Sequence, residues 1–197
     1  SKNPDDGKSQ DAAKAVDAEA STQAMKEALE KREEAAFASA AQSLRQSLQE
    51  MPELAELSKN IIIDQTPEGL RIQLVDQEGR SLFNEGQVQP NDRAKLLLRA
   101  VAKIVNQLPN RISISGHTSA SMNGRKADSD WSLSSSRADA SRRILQGSGV
   151  DADRIYQVSG KANSEPLYPD DPTLPGNRRI AIVLLREAPV LPPDHGL

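Results

Sequence analysis

The side chains best suited to chemistry lie in the second half of the chain. Arg137 follows two aspartates, Asp128 and Asp130, within ten residues. A guanidinium binds a carboxylate through two parallel hydrogen bonds, and backbone N–H groups at a helix N-terminus reinforce such a site. Arg137 is therefore suited to bind a ligand with a free carboxylate. The alternative is an internal ion pair with Asp128, Asp130 or Glu165, which is the commoner role for an arginine.

Catalysis has weaker support. The chain has no cysteine and two histidines, His117 and His195. This inventory excludes thiolate nucleophiles, disulfides and Cys/His zinc sites. His117 with Ser134 or Asp128 could form a base and nucleophile, but no nucleophile elbow accompanies them. We therefore predict a protein that is not an enzyme and has no metal or cofactor.

Composition narrows the classes of partner. The 197 residues carry 25 Lys and Arg against 28 Asp and Glu, and only 3% are aromatic. No basic run marks a nucleic-acid surface, and there is no aromatic platform for stacking sugars or bases. No stretch reaches the roughly 18 apolar residues of a membrane span, and no signal peptide opens the chain. Because the chain begins at Ser1 without Met, we expect it to be part of a longer protein.

The first sixty residues divide into two segments. Residues 1–20 lack large apolar side chains and predict a flexible linker, and residues 21–59 predict a helical segment. The helix has an apolar stripe formed by Met25, Leu29, Ala36, Phe37, Ala40, Leu44, Leu48 and Met51. A stripe does not identify the surface that it covers. Two interpretations stay open. The helix could pack on its own domain, or it could pack on a second copy or a neighbouring protein.

Residues 60–187 predict one α/β (α+β) domain. Alternating or short apolar segments indicate strands at 61–63, 70–74, 111–116, 155–158 and 179–185. Longer segments between helix start and stop signals indicate helices at 90–108 and 134–146. This order implies crossovers over one face of a mixed sheet. Trp131 is expected to anchor the preceding loop in the core. Residues 188–197 predict a flexible, proline-rich tail.

These elements place Arg137 next to the expected binding edge. It falls in the first turn of the 134–146 helix, close to the loop that follows a strand, where open sheets place their ligands. A cation in that turn opposes the helix dipole by roughly 0.3–1 kcal/mol. We therefore expect an anionic partner beside Arg137.

Three short segments carry a family resemblance. They are Gly116-His117-Thr118, Leu133-Ser134-Ser135-Ser136-Arg137-Ala138 and Asn177-Arg178-Arg179-Ile180-Ala181-Ile182. Their order and spacing resemble the signature of OmpA-like peptidoglycan-binding domains, which implies an OmpA-like sandwich. The Asp130-Trp131-Ser132-Leu133-Ser134 segment and residues 137–143 look most like the MotB branch, the B subunits of flagellar motor stators.

The resemblance implies a site for the diaminopimelate of a peptidoglycan stem peptide. In the family an arginine and an aspartate hold this group. The arginine matches Arg137, whereas Ser119 stands where the aspartate is expected. The ligand's ammonium would then be accepted by Asp128, Asp130 or backbone carbonyls. The expected binding residues are Thr118, Ser119, Asp130, Leu133, Ser134, Arg137 and Arg179. Arg179 is one of two adjacent arginines in a strand, and adjacent strand residues point to opposite faces.

The resemblance also implies a cellular role. It is that of a non-catalytic wall anchor, in the periplasmic part of a single-span inner-membrane protein that acts in motility and chemotaxis. The implied partners are peptidoglycan, a MotA-like subunit reached through a membrane helix outside this chain, a second copy and, as a further expectation, basal-body ring proteins. The alternatives are an OmpA-family tether without a motor role, a wall hydrolase dependent on His117, and a dimerisation module with a vestigial groove.

Overall fold

The computed structural model describes residues 5–121 and 127–187. The chain divides into two compact units, residues 1–36 with 187–197, and residues 37–186. In the first unit, the described part of 1–36 is helical and its side chains are largely exposed. In the described part of the chain, no helix is long and apolar enough to cross a membrane.

A mixed five-stranded sheet forms the centre of the second unit. Its strands are β1 (Ile61–Thr66), β2 (Gly69–Val75), β3 (Ile112–His117), β4 (Ile155–Gly160) and β5 (Arg179–Leu185), in the order β1-β2-β5-β3-β4. Only β3 and β4 pair in parallel, and the other three pairings are antiparallel. A turn between Thr66 and Gly69 joins β1 and β2. The strands and the mixed sheet are thus confirmed.

Two helices cover one face of this sheet through crossovers. Helix α3 (Asp92–Val105) connects β2 to β3, and α4 (Ala127–Gly147) connects β3 to β4. The Asn91 side chain caps α3 by accepting a hydrogen bond from the Ala94 N–H at 3.1 Å. The two helices contact each other, and the strand side chains that alternate toward them are fully buried. This core includes Leu70, Ile72, Leu74, Ile112, Ile114, Ile180, Ile182 and Leu184.

The first helix is longer than the sequence pattern indicated. Helix α1 (Asp5–Glu50) runs through the described part, residues 5–20, of the segment predicted as a flexible linker. Five of the twenty residues of that segment are alanine and three are lysine, and both residue types favour helix without needing an apolar face. The short helix α2 (Pro52–Ala55) and a 3-10 turn (Glu56–Asn60) lead into β1. The end of α1 therefore belongs to the same compact unit as the sheet.

The apolar stripe of α1 divides along its length. Phe37, Leu44 and Leu48 are buried within the second unit, whereas Met25 is 58% exposed. The Arg45 side chain donates to the Ile63 carbonyl of edge strand β1 at 3.1 Å. From Phe37 onward the stripe thus packs on its own domain. The compact unit begins at Phe37, earlier than the boundary predicted at residue 60.

Two local expectations are corrected near α4. The helix begins at Ala127, so Arg137 lies in its third turn rather than its first, and the expected opposition to the helix dipole does not apply. Trp131 lies on this helix and is 46% exposed, so it does not anchor a loop in the core. The rest of the preceding loop, residues 122–126, and the proline-rich tail lie outside the described residues.

Candidate functional site

A cleft of about 530 Å³ opens at one end of the sheet. Three chain segments meet there: the residue after β2, the residues after β3 and the residue before β5. They meet because β5 lies between β2 and β3 and runs antiparallel to both. Helix α4 and the segment between β2 and α3 form its walls. The lining residues are Asp76, Ser81, Phe83, Glu85, Gly86, Thr118, Ser119, Ala120, Ser121, Asp130, Leu133, Arg137, Thr173 and Arg178.

Arg137 is a buried cation whose hydrogen bonds go to neutral groups. It is 5% exposed, its Nε donates to the Gln87 carbonyl at 2.8 Å, and its Nη2 donates to the Asn84 carbonyl at 3.3 Å. The guanidinium also stacks on Phe83, 4.9 Å from the ring centroid. Burial is the main cause that lowers the pKa of Arg137, and the negative charges of Asp76 and Asp130 oppose it. No described carboxylate lies within ion-pair distance of this guanidinium.

The bonds of Arg137 also hold one wall of the cleft. Asn84 and Gln87 bracket the Glu85-Gly86 segment, and both of those inner residues line the cleft. Gly86 has a φ of +71°, a backbone conformation that glycine adopts without strain. The Nε side of the guanidinium thus holds the Asn84–Gln87 segment in place. Among the described residues nothing accepts from Nη1, which leaves the Nη1–Nη2 edge for a ligand.

A buried carboxylate lies at the end of β2. Asp76 is 3% exposed, and its Oδ1 accepts from the Leu82 N–H at 2.8 Å. Its Oδ2 accepts from the Nε of Arg178 at 3.0 Å. Desolvation raises the pKa of Asp76, and these hydrogen bonds and the charges of Arg178 and Arg137 partly offset that rise. The pair brings a second arginine into the cleft that contains Arg137.

Five of the seven sequence-predicted residues line this cleft. They are Thr118, Ser119, Asp130, Leu133 and Arg137. The Ser119 hydroxyl lies 3.4 Å from the Nη1 of Arg178, which donates to it. Thr118 is buried, and its Oγ1 has no hydrogen-bond partner among the described residues. Asp128 was an alternative acceptor, but its side chain is outside what the structure describes.

Ser134 is buried behind the cleft rather than in its lining. Its hydroxyl accepts from the Ala162 N–H at 3.0 Å and donates to the Trp131 carbonyl at 3.1 Å. Here α4 passes very close to β3: a Cβ on Gly116 would lie 2.0 Å from the Ser134 carbonyl oxygen. Ser134 thus joins the helix to the loop that follows β4.

Arg179 faces the opposite side of the sheet. It alternates with Ile180, which packs under the helices, and its Nε donates to the Gln73 Oε1 at 2.9 Å. Its Nη2 donates to the Glu165 carbonyl at 2.7 Å. Burial, followed by the charge of Arg71, lowers the pKa of Arg179 to about 10. Of the two adjacent arginines, Arg178 and not Arg179 reaches the cleft.

His117 lies on the same face as Arg179, outside the cleft. Its Nε2 is 2.8 Å from the Ser115 Oγ, and its Nδ1 has no hydrogen-bond partner among the described residues. Burial, with the charges of Arg179 and Lys161, lowers the pKa of His117 to about 3. A catalytic histidine requires a group that orients its second nitrogen. In the described part of the chain, His117 has no such carboxylate, and no group of three His, Cys, Asp or Glu is placed to hold a metal ion.

The ion pair of the cleft, Asp76 and Arg178, is not among the residues predicted from the sequence. Asp76 follows β2 just as Thr118 follows β3. That position relative to parallel strands is the signal that could have identified it. Arg178 could have been chosen over Arg179 only by knowing which face of β5 carries the helices.

The chain is similar to a known family and to several known proteins. The model of the OmpA family matches residues 82–179. Motility protein B of Escherichia coli K12 is 38% identical over 146 residues, which cover 73% of this chain and 47% of that protein. The chain thus spans about half the length of this curated relative. The protein LafU of E. coli O44:H18 is 34% identical over 68% of this chain and 44% of its own length.

Solved structures share the fold. A MotB-like protein from Desulfovibrio vulgaris superposes with a TM-score of 0.54 at 23% identity, covering 76% of this chain and 98% of that one. The periplasmic domain of Helicobacter pylori MotB, residues 90–256, gives a TM-score of 0.54 at 22% identity over 68% of this chain and 83% of its own. The five-stranded sheet with its helices is the common architecture.

Proposed function

Because this chain contains a domain of the OmpA family, we propose that it is a non-catalytic anchor that binds peptidoglycan and holds a flagellar motor stator to the cell wall. The OmpA family suggests peptidoglycan as the ligand. The similarity to Motility protein B favours the motor role over an envelope tether without a motor role. In this role the wall is the fixed support against which the stator generates torque.

The buried guanidinium of Arg137 carries this proposal. A cation that is 5% exposed and bonded only to neutral carbonyls is costly to bury unless an anion joins it. Its remaining Nη1–Nη2 edge matches a carboxylate in bidentate geometry. A free carboxylate of a stem-peptide diaminopimelate has this shape and charge. The Arg137 edge therefore binds that carboxylate in our proposal.

Asp130 is the proposed acceptor for the ammonium of the same ligand. It lines the cleft and is close enough to Arg137 to raise its pKa by charge. Ser119 and Thr118 add polar contacts, and Leu133 adds an apolar one. Ser134 and Arg179 support the site from outside the cleft, by joining α4 to the loop after β4 and by fixing the loop at Glu165.

The remaining partners follow from the motor role. We propose that the chain is the periplasmic part of an inner-membrane subunit, that a second copy pairs with it, and that a MotA-like subunit binds its membrane segment. Basal-body ring proteins are further candidate partners. The exposed Met25 side of α1 is available for the second copy. Two anchors on one stator raise the effective affinity without stronger single contacts.

Co-sedimentation with purified peptidoglycan sacculi tests the wall-binding role. We expect the native chain and the control Arg143→Gln to sediment, since Arg143 is an exposed residue of the same helix, paired with Asp139 at 3.3 Å. Arg137→Gln should remain in the supernatant while its unfolding temperature shows a folded chain. A native chain that stays in the supernatant contradicts the proposal, and soluble fragments released from the sacculi would indicate a hydrolase instead.

A chimera tests the motor role separately. In it, the periplasmic part of E. coli Motility protein B is replaced by this chain. We expect swimming to be restored with the native sequence and lost with Arg137→Gln. Wall binding without any restored swimming would favour the envelope tether.

A further inference from the structure

We propose that Arg178, positioned by Asp76, is a second ligand-binding cation, so that the cleft clamps one carboxylate between two guanidiniums and rejects the corresponding carboxamide. This inference rests on the proposed function, because it specifies the chemical form of the wall ligand. It makes Arg178 a binding residue and Asp76 a positioning residue.

The first observation is that the two arginines share one cleft. Arg137 enters it from α4 and Arg178 from the start of β5. They are near enough that the charge of Arg178 lowers the pKa of Arg137. Two guanidiniums facing one space repel each other, and an anion between them removes that repulsion. In our proposal one carboxylate contacts both guanidiniums.

The second observation is the way in which Arg178 is held. Its Nε is fixed by the buried Oδ2 of Asp76, whose other oxygen is fixed by the Leu82 N–H. Its Nη1 has only the long 3.4 Å contact with the neutral Ser119 hydroxyl, and its Nη2 makes no hydrogen bond within the described residues. One side of this guanidinium is therefore anchored, and the other side is available to a ligand.

The clamp predicts discrimination between two forms of one group. A carboxylate accepts hydrogen bonds through both oxygens, whereas a carboxamide is neutral and presents an NH₂ donor toward the arginines. When a site that is arranged to bind a carboxylate holds a carboxamide instead, some of its N–H donors have no acceptor. Stem peptides with an amidated diaminopimelate should therefore bind poorly.

Calorimetric titration of the full chain with two synthetic tripeptides tests the inference. The peptides end in diaminopimelate, one with the free side-chain carboxylate and one with that carboxylate amidated. We expect the native chain to prefer the free form by at least tenfold. Arg178→Gln should bind the free form about tenfold more weakly, equivalent to about 1.4 kcal/mol, while its affinity for the amidated form changes little.

Asp76→Asn keeps the bond from the Leu82 N–H but loses the charge that holds Arg178. We expect Asp76→Asn to lower the preference for the free peptide over the amidated one as much as Arg178→Gln does. The variant that carries both substitutions should lower this preference no further, because the two residues act as one unit. Arg143→Gln changes an exposed residue of α4 that does not line the cleft, so it should leave the preference for the free form unchanged. Unfolding temperatures of all variants show whether each one is folded.

The possible results separate the inference from the function. A folded Arg178→Gln that keeps the full preference, or that weakens both peptides equally, overturns the clamp while wall binding stands. A native chain that binds neither peptide nor sacculi overturns the proposed function and the clamp together.

Discussion

The carboxylate of Asp76 and the guanidinium of Arg137 line the same cleft without pairing. Asp76 is bound to Arg178 and to the Leu82 N–H, whereas Arg137 donates to the carbonyls of Asn84 and Gln87. The best-buried cation of the cleft therefore lacks a direct counter-ion from the described residues. This arrangement leaves room for an anionic ligand at Arg137.

Replacing His117 should change how stability depends on pH. Its pKa is lowered to about 3 in the folded chain, against about 6.5 when unfolded. The unfolded chain therefore binds more protons between these values, and the stabilisation by neutral His117 is lost as the pH falls below 6.5. Between pH 7 and pH 5 we expect the native chain to lose about 2 kcal/mol more than His117→Gln.

Urea unfolding at each pH measures this difference. The raised pKa of Asp76 acts in the opposite direction, but it is common to both proteins and cancels in the comparison. Parallel stability curves for the two proteins would mean that the pKa of His117 is the same in the folded and the unfolded chain, which contradicts the prediction.

A methyl group at Gly116 should destabilise the domain. The added Cβ would lie 2.0 Å from the Ser134 carbonyl oxygen, so α4 would have to move away from β3. Such overpacking typically costs about 1–3 kcal/mol, and we expect Gly116→Ala to reach that range. Gly147→Ala is the matched control, since nothing lies within 4 Å of its Cβ position. Thermal unfolding that does not separate the two variants would disprove the close approach.

The two parts of α1 should respond differently to truncation of a side chain. Leu44 is fully buried, and Leu44→Ala should cost about 2–5 kcal/mol. Met25 is 58% exposed, and Met25→Ala should change the stability of the monomer by less than about 0.5 kcal/mol. Denaturant unfolding measures both values. A large loss from Met25→Ala that depends on protein concentration would indicate that this part of α1 pairs with a second copy.

The cross-strand pair of Arg71 and Asp64 should contribute little. The Arg71 Nε donates to Asp64 at 3.0 Å in a two-pronged contact, but both side chains are more than a third exposed. Solvent screens such pairs, so Asp64→Asn should cost less than about 1 kcal/mol. The same loss in 1 M NaCl as in dilute buffer would count against an electrostatic origin.

The sequence predicted the sheet more completely than the site. Apolar residues alternate with Arg71 and Gln73 in β2, β5 is a short apolar run, and the proline and asparagine before α3 mark its start. These signals are local. The start of α4 was placed seven residues late because Ser134 resembles a helix cap. In the structure its hydroxyl instead bonds to the distant Ala162 N–H. Tertiary contacts of this kind leave no local pattern.

Predicting the residues of the cleft requires both local and long-range information. Thr118, Ser119 and Arg137 follow from motifs that are continuous in sequence. The pairing of Asp76 with Arg178 joins residues 102 positions apart, and no spacing rule predicts it. The choice between Arg178 and Arg179 likewise required the strand register, since adjacent residues of a strand face opposite sides.

A crystal structure of the chain with a diaminopimelate-ending tripeptide would test the central claim most directly. We predict that a ligand carboxylate lies about 3 Å from the Nη1–Nη2 edge of Arg137, with its ammonium near Asp130. The Asn84–Gln87 wall should keep its bonds to Arg137. A peptide bound elsewhere, for example on the His117 face of the sheet, with the Arg137 edge still solvated, would contradict the account.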